Sequence, residues 1–525
     1  MERASWILAA TITLVFLTLL PISCSNEQTK DQAGQDEVRE TQPREPRTEA
    51  ASSSPETSPS EPQSSLVPIA HLTSRRDDVS MEELSQNAQL AVPEELSETA
   101  NEMLGRSDLE SSGSAEAVVD RVSRDPEAFG LVPLKEVGPK VKALTVDGET
   151  LLEPGASDPE GYPLRPEGAT DPEVGELRRI VVAGDIVLDR GQNYTVIQQD
   201  MGLDFPLDGG YAAITGRTAE ESDASEFGII HQFTAERRGE AGQMREYLRS
   251  ADLTLANFEN PVVADAVWHP DAATFTGDLR LLPILRQAGI DGVTLGNNHI
   301  LDAGIPGLAE TIGHLRDAGI SYTGAGMNLA STREPMVFDL GETRVGVLNY
   351  QGVPSYDWSW ATESVPGTAP LQADIMLEDV ERLRPEVDLL VVMPHWGNEY
   401  LATPEPGQVE LAHAVMDAGA DLIVGNHAHW PKGMEMYRGK PIFYGTGNFL
   451  FDQSWSEETS TGIFAEITLY GDRVVQARPV PFLILDKAQP NFLLLEAGGE
   501  RALETIFDAS LGPEFEAYKG ESPAR

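Results

Sequence analysis

The chain has 525 residues and a formal net charge of −47, with 85 acidic residues against 38 basic ones. This acidic excess excludes a nucleic-acid-binding protein, because such proteins present a basic surface to the phosphates. Cys24 is the only cysteine, which excludes an intramolecular disulfide bond.

The first residues have the order of a secretory signal. Arg3 precedes an apolar run at 6–20, and Pro21-Ile22-Ser23 leads into Cys24. This order resembles a bacterial lipoprotein leader, in which residues 1–23 are removed and Cys24 carries a lipid. An uncleaved membrane anchor is the alternative. In both cases we expect the rest of the protein to be extracytoplasmic and held at the membrane of the cell envelope.

The following residues divide into regions of different composition. Residues 24–113 are acidic and rich in Ser and Pro, which predicts a disordered tether because such a composition cannot bury a core. Short apolar runs at 114–170 predict a small α/β module. Residues 171–512 are expected to form the main domain, and residues 513–525 a C-terminal tail.

Apolar strands and amphipathic helices alternate through the main domain. Strands are expected at 179–183, 253–256, 292–295, 320–323, 345–349, 387–393, 421–424 and 441–444. Helices are expected at 244–249, 278–288, 305–318, 374–383 and 408–418. The glycine-rich stretch from 186 to 239 reads as surface insertions. This alternation predicts an α/β fold.

Residues that can bind a metal ion follow five of these strands. They are Asp185, Glu259, Asn298-His299, His395 and His427-Ala428-His429. Each alone is compatible with an ordinary turn or cap. Open parallel sheets, however, place their ligand sites at the carboxyl ends of strands. Oxygen and imidazole donors without a thiolate suit Mn, Fe or Zn, so the sequence predicts a divalent metal site.

Several segments resemble the bacterial CapA family of capsule-synthesis proteins associated with poly-γ-glutamate. They read GDIVLDRG, ADLTLANFENPV, GIDGVTLGNNHILDAG, PHWGNEY and GNHAHWPKGMEMYRGKPIFYGTGNFLFDQ, and the resemblance covers roughly residues 177–512. The domain of this family is related to calcineurin-like metallophosphoesterases. The resemblance therefore implies an α/β fold of the metallophosphoesterase-like αββα sandwich type, in which metals bind between stacked sheets.

The resemblance also implies a role for each motif residue. Asp185 corresponds to the first carboxylate ligand, Glu259 to the bridging carboxylate, Asn298 to the amide ligand, His299 to the adjacent general acid, and His395, His427 and His429 to the remaining imidazole ligands. A metal ion held by these residues would activate water for attack on a phosphoryl or acyl centre.

One position departs from the family pattern. The relatives have a histidine two residues after the first aspartate, where this chain has Val187. One metal position keeps four ligands, namely Glu259, Asn298, His395 and His427. The other keeps only Asp185, Glu259 and His429. We therefore expect one well-held metal ion and a weak or empty second position.

Other residues are expected close to the site. Asp302 follows His299 by about one helical turn and either orients that imidazole or caps the helix expected at 305. Glu399 either lines a substrate cleft or is a surface carboxylate. Gly447 and Asn448 are expected to shape the backbone at the substrate side of the site, since glycine permits close approach.

Three aromatic residues lie on one connecting segment between predicted strands. Tyr356, Trp358 and Trp360 alternate with other residues there. They either wall a substrate groove or serve simple packing.

Three functions fit this sequence. The first is an envelope lipoprotein that assembles, transports or anchors capsule or poly-γ-glutamate, in contact with that polymer and its synthase complex. The second is an envelope metal-dependent hydrolase or transferase unrelated to capsule. The third is a non-catalytic polymer-binding protein. The resemblance favours the first, and Val187 keeps the third open.

Overall fold

The computed structural model describes residues 64–109, 111–152, 161–169, 176–221, 229–271, 273–356 and 358–519. The predicted leader, the lipidation site at Cys24 and the tether up to residue 63 lie outside the described residues. Among the helices that are described, none has the length and apolar character needed to cross a bilayer.

The N-terminal described residues form a small module around a four-stranded sheet of order β3-β4-β1-β5. Its elements are β1 Leu66–His71, β2 Asp78–Val79, α1 Met81–Gln86, β3 Leu90–Ala91, α2 Ser97–Met103, α3 Ala115–Val122, β4 Phe129–Pro133, β5 Val141–Ala143 and β6 Thr145–Val146. Gly130 lets α3 approach the sheet closely, because an added Cβ would lie 2.6 Å from Val118 Cγ1.

This module begins earlier than the predicted boundary at 114. Residues 64–109, which fall in the predicted disordered tether, contribute the central strand β1 and the edge strand β3. Leu66, Ile69 and Leu84 are buried in one apolar cluster with Leu131. The composition of this stretch is polar on average. Its few apolar side chains are nevertheless enough, because they pack against strands supplied by residues 129–143.

The first half of the main domain contains three long strands, one long helix and several short elements. They are β7 Leu177–Ile186, α4 Arg190–Asn193, β8 Tyr211–Glu221, β9 Ile229–Arg238, α5 Gln243–Arg249, β10 Leu253–Phe258, β11 Val262–Val263, β12 Gly277–Asp278, α6 Pro283–Gln287, β13 Gly292–Thr294, α7 Gly304–Ala318, β14 Ser321–Thr323, β15 Ala325–Gly326 and α8 Leu329–Thr332.

The second half contains a second sheet and the strands that complete the first. They are β16 Met336–Leu340, β17 Thr343–Gln351, β18 Gly367–Thr368, α9 Ala373–Leu383, β19 Leu389–His395, α10 Pro406–Ala418, β20 Leu422–Val424, β21 Met434–Tyr437, β22 Lys440–Phe443, β23 Asn448–Leu450, α11 Glu457–Ser460, β24 Thr461–Tyr470, β25 Arg473–Leu485, β26 Gln489–Leu493 and α12 Gly499–Ala509.

Two large sheets form the centre of the main domain. One has the strand order β14-β13-β10-β7-β24-β25-β26-β8-β9, and β23 also pairs with β7. In it β7, β10, β13 and β14 are parallel, and β24 runs antiparallel to β7. The other has the order β16-β17-β19-β20-β22-β21, with β17, β19, β20 and β22 parallel.

The two sheets pack face to face, with helices on both outer sides. Ile180 and Leu255 of the first sheet share a buried cluster with Val347 and Val391 of the second. On the outer face of the first sheet, α5, α6 and α7 cover a second cluster. On the outer face of the other sheet, α9 and α10 cover a third. The predicted αββα sandwich is confirmed.

Two regions differ from the predicted elements. The expected surface insertions contain a long hairpin, β8 and β9, which extends the edge of the first sheet. The expected C-terminal tail begins with a 3₁₀ helix, Pro513–Tyr518, whose Phe515 is fully buried against Phe507 of α12. The main domain therefore extends beyond residue 512.

Candidate metal centre

Six predicted ligands lie together, buried, at the carboxyl ends of strands from both sheets. They come from β7, β10, β13, β19 and β20 or from the residues that follow them. Their side chains are between 0% and 9% exposed, and they are Asp185, Glu259, Asn298, His395, His427 and His429. Parallel strands end at the same edge of a sheet, which explains why residues far apart in sequence meet here.

One half of this cluster centres on His395. Its Nε2 lies 2.7 Å from Asn298 Oδ1 and 3.3 Å from Glu259 Oε1. His427 Nδ1 lies 3.1 Å from the same Nε2. Ligand atoms about 2.1 Å from a tetrahedral ion are about 3.4 Å from each other, so the three distances to His395 Nε2 are compatible with a metal shell.

The other half centres on His429. Its Nδ1 lies 3.2 Å from Asp185 Oδ2. Two sets of three residues have ligand atoms within 4.8 Å of one another: Glu259, His427 and His429, and Asp185, Glu259 and His395. Glu259 belongs to both sets, which is the place of a bridging carboxylate.

The loop after β20 directs two imidazoles into the cluster through a constrained backbone. His427 has φ 90° and His429 has φ 54°, values that non-glycine residues rarely adopt. Between them, the carbonyl of Ala428 accepts a hydrogen bond of 2.8 Å from the backbone N–H of Tyr400. Such conformations persist only where the surroundings enforce them, and they concentrate at functional sites.

Asn257 lies at the centre of the cluster and was not predicted. Its Nδ2 donates hydrogen bonds to Asp185 Oδ1 at 2.7 Å and to Glu259 Oε2 at 3.2 Å, and it lies 3.3 Å from His395 Nδ1. It therefore orients three candidate ligands at once. The one sequence signal for it was its position at the end of β10, two residues before Glu259.

Two buried carboxylate oxygens in the cluster have no hydrogen-bond partner among the described residues. They are Asp185 Oδ2 and Glu259 Oε1. A buried charged oxygen without a donor is costly, and the usual remedies are a cation or a proton. The imidazole nitrogens close to both oxygens can share a cation with them, so these residues fit a divalent metal ion.

The electrostatics of the cluster agree with this fit. Burial lowers the pKa of His395 to about 3 and lowers that of His427 well below its usual value, so both are neutral, as metal ligands must be. Burial also opposes a charge on His429, but Glu259 and Asp185 raise its pKa to about 9. Burial and the charge of Asp185 raise the pKa of Glu259. Without a metal ion, a proton on His429 supplies part of the missing positive charge.

His299 and Asp302 form a hydrogen-bonded pair beside the cluster. His299 Nδ1 lies 2.9 Å from Asp302 Oδ2, and the same oxygen accepts a hydrogen bond of 2.8 Å from the backbone N–H of Phe275. The N-cap residue of α7 is Ala303, which provides no side-chain cap. Asp302 therefore orients His299 and does not cap the helix.

Val187, where the family has a histidine, is packed in an apolar cluster. It is 1% exposed and contacts Phe275 and Phe451. The Phe451 ring also lies 5.4 Å from the His429 ring. On this side of the Asp185 half of the cluster, apolar side chains lie where the family pattern has a further imidazole ligand.

The three residues expected on the substrate side of the site are Glu399, Gly447 and Asn448, and they lie in different environments. Glu399 is exposed. Gly447, at φ 73°, accepts a hydrogen bond of 3.0 Å from the Asp185 N–H, and a Cβ added at Gly184 would lie 1.8 Å from its carbonyl oxygen. Buried Asn448 has its Oδ1 3.0 Å from His429 Nδ1. Gly447 and Asn448 thus hold two candidate ligands in position.

Two capsule or PGA biosynthesis proteins are similar to this chain in sequence. The chain is 33% identical over 230 residues to "Capsule biosynthesis protein CapA" of Bacillus anthracis, covering 41% of this chain and 54% of that protein. It is 30% identical over 223 residues to "PGA biosynthesis protein CapA" of Bacillus subtilis (strain 168), covering 41% and 57%. The matched part is thus about half the length of these relatives.

A solved structure gives a weaker likeness. Haemophilus influenzae NAD nucleotidase matches with a TM-score of 0.35 and 12% identity, covering 65% of this chain and 66% of that one.

The match to a sequence family is more specific than this structural likeness. Residues 179–453, which include all six candidate ligands, match the family described as "Bacterial capsule synthesis protein PGA_cap". This match spans more than half of the 525 residues, and the chain belongs to the PGA_cap family of bacterial capsule synthesis proteins.

Proposed function

We propose that this protein acts in the biosynthesis of a capsule or poly-γ-glutamate-type polymer through a divalent-metal-dependent site for phosphoester or amide chemistry. The family match and the printed names of the two Bacillus relatives support the biosynthetic role. We further propose that it is an extracytoplasmic lipoprotein anchored through Cys24, in contact with the polymer and its synthase complex.

One observation carries the proposal of a metal site. Asp185 Oδ2 and Glu259 Oε1 are buried, and their nearest polar neighbours among the described residues are imidazole nitrogens at 3.2 and 3.3 Å, which can share a cation with them. Glu259, Asn298, His395 and His427 would hold the ion. Asp185 and His429 would complete a second, weaker position with Glu259.

The chemistry follows from the donors and from the pair beside them. A divalent ion supplies a Lewis acid that stabilises the charge developing on a phosphoryl or acyl oxygen. Asp302 fixes Nδ1 of His299, which leaves Nε2 as the nitrogen that can pass a proton to the leaving group. Asn257 and Asn448 keep the ligand side chains in place.

Metal content tests the proposal directly. The purified protein is loaded with manganese, iron or zinc, desalted and assayed for bound metal, beside the variants His427→Ala and His314→Gln. His314 lies on the outer helix α7 and serves as a matched histidine control. We expect one tightly bound ion in the wild type and in His314→Gln, and none in His427→Ala. A wild-type protein that retains no metal contradicts the proposal.

A second candidate function is polymer holding without catalysis, and the packing of Val187 favours it. A site with one firmly held ion lacks the partner ion that many phosphoester hydrolases use. Turnover of model phosphoesters and of poly-γ-glutamate with added manganese separates the two functions. Hydrolysis that is lost in His427→Ala supports catalysis, and metal binding without any turnover supports holding.

A further inference from the structure

We infer that Arg190 and Lys487 form a binding site for the carboxylate groups of an anionic polymer, beside the His429 half of the candidate metal centre. Arg190 belongs to the segment GDIVLDRG, and its side chain is 13% exposed. Its guanidinium carbon lies 5.5 Å from the centre of the Phe451 ring and 5.8 Å from that of the Trp455 ring. These two contacts hold the planar group in place without using its N–H donors.

The same two rings connect Arg190 to a candidate ligand. The Phe451 ring lies 5.4 Å from the His429 ring. The Trp455 ring lies 6.1 Å from the ring of Tyr400, which in turn lies 6.2 Å from that of His429. Along the shorter path, a single aromatic ring separates the guanidinium of Arg190 from the candidate metal centre.

The terminal nitrogens of Arg190 are available to a ligand. Its two Nη atoms donate no hydrogen bond to any residue that the structure describes. Its Nε lies 2.9 Å from Asp452 Oδ1, but neither atom has hydrogen-bond geometry in this ion pair. Arg217 shows the contrasting structural case, because its Nε and Nη2 donate to the two oxygens of Glu457 at 2.8 and 3.0 Å. The fork of Arg190 is therefore free to bind a carboxylate through two parallel hydrogen bonds.

The backbone of Arg190 is held in a conformation that non-glycine residues rarely adopt. Its φ is 41°. Asp189 Oδ1 accepts a hydrogen bond of 2.8 Å from the Arg190 N–H, and the Arg190 carbonyl accepts one of 3.1 Å from Trp268 Nε1. Such conformations persist only where the surroundings enforce them, and they concentrate at functional sites. The fold thus fixes the direction in which this side chain leaves the backbone.

Lys487 supplies a second cation at the same place. It is exposed, and it has no ion pair with an acidic residue in the described part of the chain. Its Nζ lies 5.5 Å from the centre of the Tyr194 ring. Gly191 packs between Lys487 and Asp452, because a Cβ added at Gly191 would lie 2.9 Å from the Cβ of Lys487 and 2.5 Å from that of Asp452. Two cations therefore lie next to one carboxylate.

These charges select the ligand class. A protein of net charge −47 repels a polyanion, so an acidic polymer needs local cations to bind. A carboxylate matches the arginine fork and carries one negative charge, whereas a terminal phosphate carries up to two and would meet stronger repulsion from Asp452. The inference rests on the proposed function and deepens it, because it names the residues that hold the acidic polymer.

Affinity electrophoresis of the full chain tests the inference. Gels contain poly-γ-glutamate, polyphosphate or dextran, and all runs include a chelator, so that binding is measured without metal and without turnover. We expect poly-γ-glutamate to retard the wild type, and added salt to weaken this binding because it screens the charges. Arg190→Gln should weaken the binding about tenfold and Lys487→Gln about threefold, since only the first removes a bidentate contact.

Asp452→Asn distinguishes binding from a structural role. If Arg190 binds the polymer, the loss of the neighbouring negative charge should tighten the binding of poly-γ-glutamate. If Arg190 serves only to hold Asp452, breaking the pair from either side should have the same effect. Arg245→Gln is the matched control, because it breaks an ion pair with Asp208 at α5, and it should bind like the wild type.

Four results would overturn the inference. They are a wild type that poly-γ-glutamate does not retard, a wild type that only polyphosphate or dextran retards, an Arg190→Gln variant that binds as the wild type does, and an Asp452→Asn variant that binds as weakly as Arg190→Gln. If Arg190→Gln does not fold, Asp452→Asn and the exposed Lys487→Gln carry the test. Failure of the metal assay leaves this result readable, since the chelator removes the metal from every sample.

Discussion

Two buried groups of charged side chains in the main domain are satisfied in opposite ways. Asp379 on α9 is fully buried and accepts hydrogen bonds from Arg333 Nε at 2.9 Å, from Arg382 Nη2 at 2.8 Å and from Tyr350 Oη at 3.1 Å. Two guanidinium groups of the chain itself neutralise this carboxylate. We call these four residues the Asp379 network.

The candidate metal centre contains two buried carboxylates, and its nearest cationic partners are histidines. Asp185 and Glu259 lie within 3.3 Å of an imidazole, but neither has an ion pair with Lys or Arg among the described residues. The Asp379 network has the satisfied hydrogen bonds of a structural element. The candidate metal centre has unsatisfied carboxylate oxygens, as expected for the cation site that we propose.

The largest effect is expected from a substitution that breaks the Asp379 network. Asp379→Ala removes the acceptor of the buried Tyr350 hydroxyl and one acceptor of each guanidinium group, so we expect a loss of about 3 kcal/mol in the free energy of unfolding. Arg333 keeps its bond to Glu378 and Arg382 is about half exposed, which limits the loss. Denaturant unfolding measures it, and metal content should stay at the wild-type level in the protein that remains folded. If Asp379→Ala costs less than about 1 kcal/mol or removes the metal, the contrast between the two groups is wrong.

Because the candidate metal centre lacks positive charge, its contribution to the stability of the protein should depend on pH. His429 has a pKa of about 9 in the folded protein, against about 6.5 in an unfolded chain. Between these values the folded state holds a proton that the unfolded state has released. The contribution of His429 to stability is therefore complete below pH 6.5 and lost as the pH rises through 9, by roughly 3 kcal/mol in the metal-free protein.

Urea unfolding at pH 6.5, 7.5, 8.5 and 9.5 measures this slope, with and without metal. His395 and His427 have lowered pKa values and are neutral in both states over this range, so they do not contribute. Loading with metal should reduce the His429 contribution, because an ion on Glu259 weakens the negative charge that raises the His429 pKa. His429→Gln should remove it, and a slope that persists in this variant would assign the effect to other groups.

Asn257 sharpens the comparison within the metal centre. Asn257→Ala removes the amide that orients Asp185, Glu259 and His395, and we expect metal affinity to fall by about 10–100-fold. Asn260→Ala is the matched control. Asn260 is equally buried near the same strand end, but among the described residues its side chain bonds only the backbone of Leu188 and Pro261. Equal affinity losses in both variants would mean that the effect is general destabilisation.

Asn257 also shows a limit of prediction from sequence. The six candidate ligands could be predicted because each follows an apolar strand in a recognisable motif. Asn257 lies in one of these motifs, at the end of β10, but its position does not show which side chains its amide contacts. Its role depends on Asp185 and His395, which are 72 and 138 positions away. Contacts of this kind follow from strand order, which the periodicity of a single chain does not contain.

The small module shows a second limit of the same kind. Residues 66–71 read as part of a polar stretch, and their average composition predicts disorder. In the structure, this strand pairs with β4, Phe129–Pro133, and β5, Val141–Ala143, which come much later in the chain. Local composition reports what a segment can bury by itself. It does not report what a distant segment offers to cover it.

The smallest expected effect concerns His299 and its partner. Asp302→Asn keeps the shape of the side chain but removes the charge that orients the imidazole of His299. We therefore expect the hydrolysis of phenyl phosphoesters to slow about tenfold, while the metal content is unchanged. The leaving group makes the test specific. A 4-nitrophenyl ester leaves without protonation, so its hydrolysis should be nearly insensitive to Asp302→Asn. Asp291→Asn is the control, because Asp291 accepts a backbone hydrogen bond from Thr254 at 2.9 Å and lies outside the metal centre. Equal slowing of both esters would reduce Asp302 to a structural role and leave His299 without its assigned proton transfer.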